Sequence, residues 1–325
     1  MKIFITGGTG YIGSHLVKAL VARGYIVHAL CRSENKAKQI SGEGVEIFFG
    51  DLDKESKILE AMKGCDIVFH VAAIAKVWEK DSGRFYKINV EGTKNVLDAA
   101  LECGVKRVIF TSTGGVYGAS INGPLSESSV RQKDFFNEYE GSKCLAESWV
   151  KDYVIQGLDV VIVSPTRVYG PYLFGKPESA TRMIHDFVKG SWRWIPGPAE
   201  KLGNYVYIDD VIEGHILAME KGEKGRTYIL GGANHSYTDF FSILKSVSGI
   251  KRKLFPLPIS LIYLIAYISL KLAEWFNIEP ALTPKWVAKA KYNWEVDTSR
   301  AVLELGLKPT SLESGLRKTV EWIRS

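Results

Sequence analysis

A doubly wound parallel α/β sheet is the fold class this sequence predicts, and three observations predict it. The apolar run Ile3, Phe4, Ile5 leads into a glycine-rich turn, Thr6, Gly7, Gly8, Thr9, Gly10. Beyond that turn, Leu16, Val17, Leu20 and Val21 recur at the spacing of one buried helical face. A second apolar run at residues 25–30 then completes a strand, turn, helix, strand unit of about thirty residues. Similar alternation continues to about residue 163, and 325 residues leave room for a smaller lobe besides.

The turn carries the first chemistry. Glycines let backbone N–H groups approach a pyrophosphate, and the helix opening at Tyr11 or Ile12 points its positive dipole end at the same charge. Gly13, lacking a side chain, lets that helix lie close against the strands. Gly7, Thr9, Gly10, Tyr11, Ile12 and Gly13 are therefore the expected pyrophosphate cradle of a Rossmann-type dinucleotide fold.

Composition excludes several other classes. The net charge is +6, but the 42 basic residues are mixed with 36 acidic ones along the whole chain. The densest basic cluster, Lys251, Arg252 and Lys253, has no interleaved aromatics, so nucleic acid is not an expected partner. Cys31, Cys65, Cys103 and Cys144 form no C-x-x-C pair, and the six histidines show no ligand spacing. A reducing compartment and no metal site follow. Glycines interrupt the first apolar run before a secretion signal could form, so the cytoplasm is the expected location. One uncharged stretch, residues 254–270, is broken by Pro256 and Pro258, leaving a helix short for a bilayer. A buried helix closing the substrate pocket, or a subunit contact, is expected there ahead of docking on anionic lipid.

Along the chain, Cys31 and Arg32 end the second strand, where NAD-binding versions place a carboxylate for the ribose. A guanidinium suits the extra phosphate instead, so NADP(H) is favoured over NAD(H). A third strand at residues 45–49 delivers Gly50, Asp51 and Leu52 to the carboxyl edge. Asp51 is placed to accept from the adenine amino group, with Leu52 against the ring face. The fourth strand, residues 66–70, runs into Val71, Ala72 and Ala73, whose small side chains leave room for a ribose. Lys76, Val77 and Trp78 follow in a loop beside the expected nicotinamide. A helical segment at residues 86–101 carries Asn89, and a fifth strand at 105–110 ends in the hydroxyls of Thr111, Ser112 and Thr113.

Tyr139 and Lys143 then stand four apart on one helix face. A free tyrosine titrates near pH ~10 and is a poor base at neutrality. An ammonium roughly 4 Å away, at an effective dielectric of about 20, favours the phenolate by on the order of 4 kcal/mol, up to about three pKa units. Desolvation opposes it. The pair is thus expected to exchange a proton with a substrate alcohol.

Together the glycine motif, Asp51, Asn89, residues 111–118 and the Tyr139/Lys143 pair resemble the extended short-chain dehydrogenase/reductase family, its NAD(P)-dependent epimerase/dehydratase group. Residues 165–171 look like the family's R/N-V-Y-G-P segment, residues 205–211 like Y-V-x-x-D-D-V, and Asp297 to Gly306 like the closing D-x-S-K-A signature. The resemblance implies that Tyr139 is the general acid/base and that Lys143 lowers its pKa while holding the nicotinamide ribose. Thr113, four residues before Tyr117, is implied to hydrogen-bond the reacting oxygen, and Asn89 to order the helix and a nearby water. Pro165 and Val168 join the cofactor-binding set.

Gly114 and Gly115 stand where dehydratases of the family carry an Asp-Glu pair, and Arg167 stands where its epimerases commonly carry asparagine. Arg32, residues 70–73 and Ser164, Pro165, Thr166 look more like the dihydroflavonol-reductase and hydroxysteroid-dehydrogenase branches. Trp78, Trp192 and Trp194 with the apolar helix suit a fairly apolar small molecule. The expected activity is an NADP(H)-dependent oxidoreductase acting on a ketone or secondary alcohol; the alternative is a nucleotide-sugar epimerase with tightly bound cofactor. The expected domains are a dinucleotide-binding domain of residues 1–163 plus 205–232, and an interleaved α+β substrate lobe of residues 164–204 plus 233–325. The resemblance also implies a homodimer, paired through the helices at residues 86–101 and 139–153.

Overall fold

The computed structural model describes residues 1–325 apart from 77, 176–178, 277 and 281, so Val77 of the expected nicotinamide loop lies outside it. Among the described residues twelve strands are formed: β1 (Lys2–Thr6), β2 (Ile26–Cys31), β3 (Val45–Phe49), β4 (Ile67–His70), β5 (Arg107–Thr111), β6 (Val160–Pro165), β7 (Arg167–Tyr169), β8 (Trp194–Pro196), β9 (Leu202–Tyr207), β10 (Thr227–Leu230), β11 (Ala233–Ser236) and β12 (Phe255–Leu257). Seven make one parallel sheet in the order β10-β6-β5-β4-β1-β2-β3. The winding reverses between β1 and β4, and a crevice opens outside the carboxyl ends of strands at such a switch point.

Alternation along the strands explains why both faces are covered. Ile3 and Ile5 of β1, Phe69 of β4 and Ile109 of β5 enter one core; Phe4, Val68, Val108 and Phe110 enter the other. Successive side chains point to opposite faces, and a parallel sheet needs apolar residues on both because helices pack on each side. The first of these cores continues without interruption into Tyr205, Phe240, Leu244 and Leu316 of the smaller lobe.

The expected return of residues 227–230 to the main sheet is met by β10 pairing with β6. Residues 205–207 behave otherwise. They lie in β9, which pairs parallel with β7 and antiparallel with β11 in a separate three-stranded sheet. Asn204 is the physical reason: its Oδ1 accepts from Thr166 Oγ1 (2.7 Å) and Gly232 N (2.9 Å), and its Nδ2 donates to Gly232 O and Asn234 Oδ1. One buried amide therefore ties β9 to the turns leaving both β6 and β10.

Two more elements differ from expectation. The segment carrying Asn89 is a short helix Gly83–Tyr86, a π-helical turn Lys87–Glu91 and a helix Gly92–Glu102, not one regular helix. Such a turn inserts an extra residue and often marks a functional position. The helix Ile259–Phe276 buries only Ile262, Ala266 and Ala273, the first two packed with Leu257, Leu282 and Val287. It is therefore mostly exposed, contrary to the expected buried helix, because its neighbours cover a single side.

The core also holds two neutral histidines, with a consequence for acid stability. Burial pushes His70 down to about 3 and His215 down to about 4, whereas an unfolded histidine protonates near pH ~6.5. Below about pH 6.5 the unfolded chain binds more protons, so stability falls as pH drops toward those folded values. At pH 5 each histidine costs about 2 kcal/mol, set by the unfolded value alone while the folded one stays lower. Denaturant midpoints should accordingly drop between pH 7 and pH 5, and less so in His215→Gln; equal slopes in the two proteins would contradict neutral burial.

Candidate active site

The glycine turn is built as a cradle. Gly7 takes φ +74°, and a Cβ there would stand 2.6 Å from Ala72 N, so the turn and the exit of β4 touch backbone to backbone. Gly10 N donates to Gly7 O at 2.9 Å and caps the helix Tyr11–Ala22 with no side-chain hydrogen bond. The first-turn N–H groups of Tyr11, Ile12 and Gly13 thus remain available to an anion. A Cβ on Gly13 would lie 2.1 Å from Gly7 O. Its expected role is corrected in detail: the helix packs closely on the turn itself, more than on the strands. Thr9 is half-buried on the turn, and Tyr11 stacks on Tyr172 with centroids 3.9 Å apart.

At the far end of the crevice, Arg32 follows β2 with its guanidinium 3.7 Å from Asp51 Oδ2 and 59% exposed. Asp51 also accepts from Leu52 N (2.8 Å). Leu52 departs from expectation: its side chain is 3% exposed and packed on Gly92, so it belongs to the core and offers little face to a ring. Val71 and Ala72 are half-buried and Ala73 exposed, lining the exit of β4. Pro165 closes β6, and Val168 sits half-buried in β7.

Beneath the crevice the hydroxyls and imidazole form one directed chain. Thr93 Oγ1 donates to Asn89 O (2.7 Å), so it must accept from His70 Nε2 (2.9 Å). His70 Nδ1 is then the acceptor for Thr6 Oγ1 (2.7 Å), which in turn accepts from Ala72 N (3.3 Å). A neutral His70 is required throughout, in keeping with its lowered pKa.

Asn89 is fully buried. Its Oδ1 accepts from Ile74 N (2.7 Å); its Nδ2 donates to Ile74 O (3.1 Å) and Ser142 Oγ (2.9 Å), and Ser142 Oγ donates to Tyr139 O. With its amide occupied in this way, Asn89 is a positioning residue. It fixes the loop after β4 against the helix that presents Tyr139, acting through its neighbours as the helix-ordering role expected of it requires.

That helix, Glu138–Ile155, starts at Asn137, whose side chain accepts from Glu140 N. It sets the Tyr139 phenol beside Thr113, just past the carboxyl end of β5, where Thr113 Oγ1 accepts from Gly115 N (3.2 Å). Ser112, the neighbouring candidate, is buried near Glu147, its hydroxyl without a hydrogen-bond partner among the described residues. Lys143 is 1% exposed, its Nζ 4.1 Å above the Phe110 ring centroid. Burial pushes Lys143 down to about 7 against the pull of Glu147.

Burial also pushes Tyr139 up to about 12, with Thr113 opposing and Glu140 adding to the rise. The expected lowering by Lys143 is thus overturned for the protein alone: desolvation raises the phenol, and the ammonium, turned to the Phe110 face, does not offset it. A phenol held in this state is a proton donor.

A clamp absent from the sequence reading holds the helix start. Glu140 is fully buried and pairs with Arg131 Nη2 and Lys289 Nζ, both at 2.6 Å. Arg131 Nη1 also donates to Gly115 O (2.7 Å), so the clamp reaches the turn after Thr113. Arg167 lies between Tyr205 and Tyr237, 5.6 and 5.7 Å from their ring centroids. Trp192 packs near Phe241, and Trp194 is 46% exposed. Among the described residues no cluster of metal-ligating side chains occurs.

A switch-point crevice with a glycine cradle at one end and a Tyr/Lys/Thr constellation at the other defines a dinucleotide-dependent oxidoreductase of the extended short-chain type. The sequence profile of the NAD-dependent epimerase/dehydratase family matches residues 3–231, and the chain belongs to that family. It is 30% identical to a putative dihydroflavonol 4-reductase of Synechocystis sp., over 99% of this chain and 94% of that one. It is 32% identical to sterol demethylase protein B of Methylococcus capsulatus, over 100% and 98%. Among solved structures, UDP-glucose 4-epimerase of Thermotoga maritima superposes with a TM-score of 0.83 at 26% identity, covering 100% of this chain and 99% of that one.

Proposed function

We propose that this enzyme is an NADP(H)-dependent reductase or dehydrogenase moving hydride between the nicotinamide and a ketone or secondary alcohol, with Tyr139 as general acid/base. The observation that carries this reading is the Tyr139 phenol, set beside Thr113 at the crevice edge, with burial raising its pKa to about 12. A substrate oxygen received between Thr113 Oγ1 and Tyr139 Oη gains two hydrogen bonds, and its developing negative charge takes the phenolic proton. A bound nicotinamide supplies the hydride for reduction or accepts it for oxidation. Lys143, one helical turn on, would stabilise the phenolate left behind by swinging its ammonium toward it.

The cradle fits the pyrophosphate through its free first-turn N–H groups. Arg32, exposed at the end of β2 with Lys36 and Lys38 following, supports a 2′-phosphate and hence NADP(H). Arg32→Asp should weaken NADPH by on the order of tenfold to a hundredfold while NADH changes by less than about threefold. Fluorescence titration of both cofactors checks it, and equal changes would withdraw the NADP(H) preference. The competing reading, a nucleotide-sugar epimerase retaining its cofactor, draws support from the likeness to the Thermotoga enzyme. It has less from the site, because Arg167 is already held by Tyr205 and Tyr237. Saturable NADPH oxidation with ketones separates the two, since an epimerase gives no net redox change. Subunit pairing is proposed across the Glu138–Ile155 helix, where Leu145 and Trp149 are exposed.

A further inference from the structure

The outer face of the helix Ile259–Phe276 is an extended exposed apolar surface. Leu261, Leu264, Ile265, Ile268, Leu272 and Trp275 follow each other at helical spacing and are 40–76% exposed. The opposite face is committed: Ile262 and Ala266 pack with Leu257, Leu282 and Val287, and Ala273 is buried. At 18 residues the helix is about 27 Å long. It is long enough to cross a bilayer but anchored along its length to the protein, so only its outer half can enter an apolar phase.

Charge decides what that phase is. Residues 251–291 hold seven basic side chains and two acidic ones, a net +5 out of the +6 of the whole chain. Lys251 and Lys253 are exposed just before the helix, Lys271 sits within it, and Lys291 lies 4.9 Å from the Tyr263 ring centroid. Two of the seven, Lys285 and Lys289, are paired with Glu138 and Glu140 elsewhere in the fold, which leaves Lys251, Arg252, Lys253, Lys271 and Lys291 against Glu274 and Glu279 around this face, still a net positive charge. A second copy of the chain would bring that same charge against itself, whereas anionic headgroups would complement it.

We infer that this face docks the enzyme on an anionic lipid bilayer, the helix lying in the plane of the interface with Leu264 and Ile268 immersed and the flanking lysines at headgroup level. Trp275 and the exposed Trp194 and Phe255 near the ends have the apolar body suited to that depth. The helix end is tied to the active-site side of the molecule, since Lys76, in the loop after β4, lies 3.6 Å from Glu279. The inference uses surface and charge alone and does not depend on the substrate proposed above.

Flotation of the full chain with vesicles of phosphatidylcholine, with and without about one-third phosphatidylglycerol, tests it, paired with light scattering for mass. The expected result is recovery with the anionic vesicles only, reduced severalfold by 0.5 M salt and at least ~tenfold in Leu264→Glu/Ile268→Glu, with mass and thermal midpoint unchanged. Both positions are exposed, so the variant retains its fold, and NADPH binding reports that directly. Absence from anionic vesicles would overturn the inference, and a halved mass in the variant would assign the face to a second copy instead.

Discussion

Tyr139→Phe is expected to lower kcat by two to four orders of magnitude, the usual worth of a positioned acid/base, while the Kd for NADPH stays within about twofold. The ring persists, so the packing around Thr113 is unchanged and only the proton is lost. Because burial holds the phenol near 12 in the protein alone, ketone reduction should persist across neutral pH and wild-type rates should not rise with phenolate formation. A variant losing cofactor affinity and turnover together would move Tyr139 from the chemistry to the architecture.

Glu140→Ala carries the largest expected effect on stability. The carboxylate is buried between Arg131 and Lys289, and burial lowers the Lys289 pKa while Glu140 opposes that fall. Removing one partner leaves buried cations uncompensated, at about 3–5 kcal/mol. For a chain of this size that is a fall in Tm of roughly 4–8 °C. Glu140→Gln, which keeps the shape, should lose a comparable amount because the charge is what Arg131 and Lys289 require. Scanning calorimetry decides it, and a change under about 1 kcal/mol in both variants would mean the clamp holds nothing.

Much of this was legible in the residues because it depends on local spacing. The period-two alternation of Ile3, Phe4 and Ile5 announces a sheet buried on both faces. The turn before Leu16 announces the cradle, and four-residue spacing places Tyr139 and Lys143 on one face. Arg32 could be read because a strand end fixes where the next residue stands. What escaped depends on long-range partners. Glu140 looks like an ordinary helical charge until Lys289 arrives from far along the chain. The partners through which Asn89 orders the helix, Ile74 and Ser142, are connected to it by no spacing rule. Residues 205–207, grouped with 227–230 in the dinucleotide-binding domain, form a separate small sheet because Asn204 ties them to two turns. The Ile259–Phe276 helix is apolar nearly all round, so its sequence does not distinguish a buried side from an exposed one. The direction of the Tyr139 shift turned on where the Lys143 ammonium points, a rotamer question.

The central claim is that this enzyme transfers hydride with net redox change, using Tyr139 to move the proton. Single turnover with NADPH deuterated at the reactive C4 position and a ketone, read by mass spectrometry, tests it most directly. The account predicts one deuterium on the carbinol carbon for each NADP+ formed, appearing two to four orders of magnitude more slowly with Tyr139→Phe. Unlabelled product, or interconversion of a nucleotide sugar with the nicotinamide returned to its starting state, would contradict it.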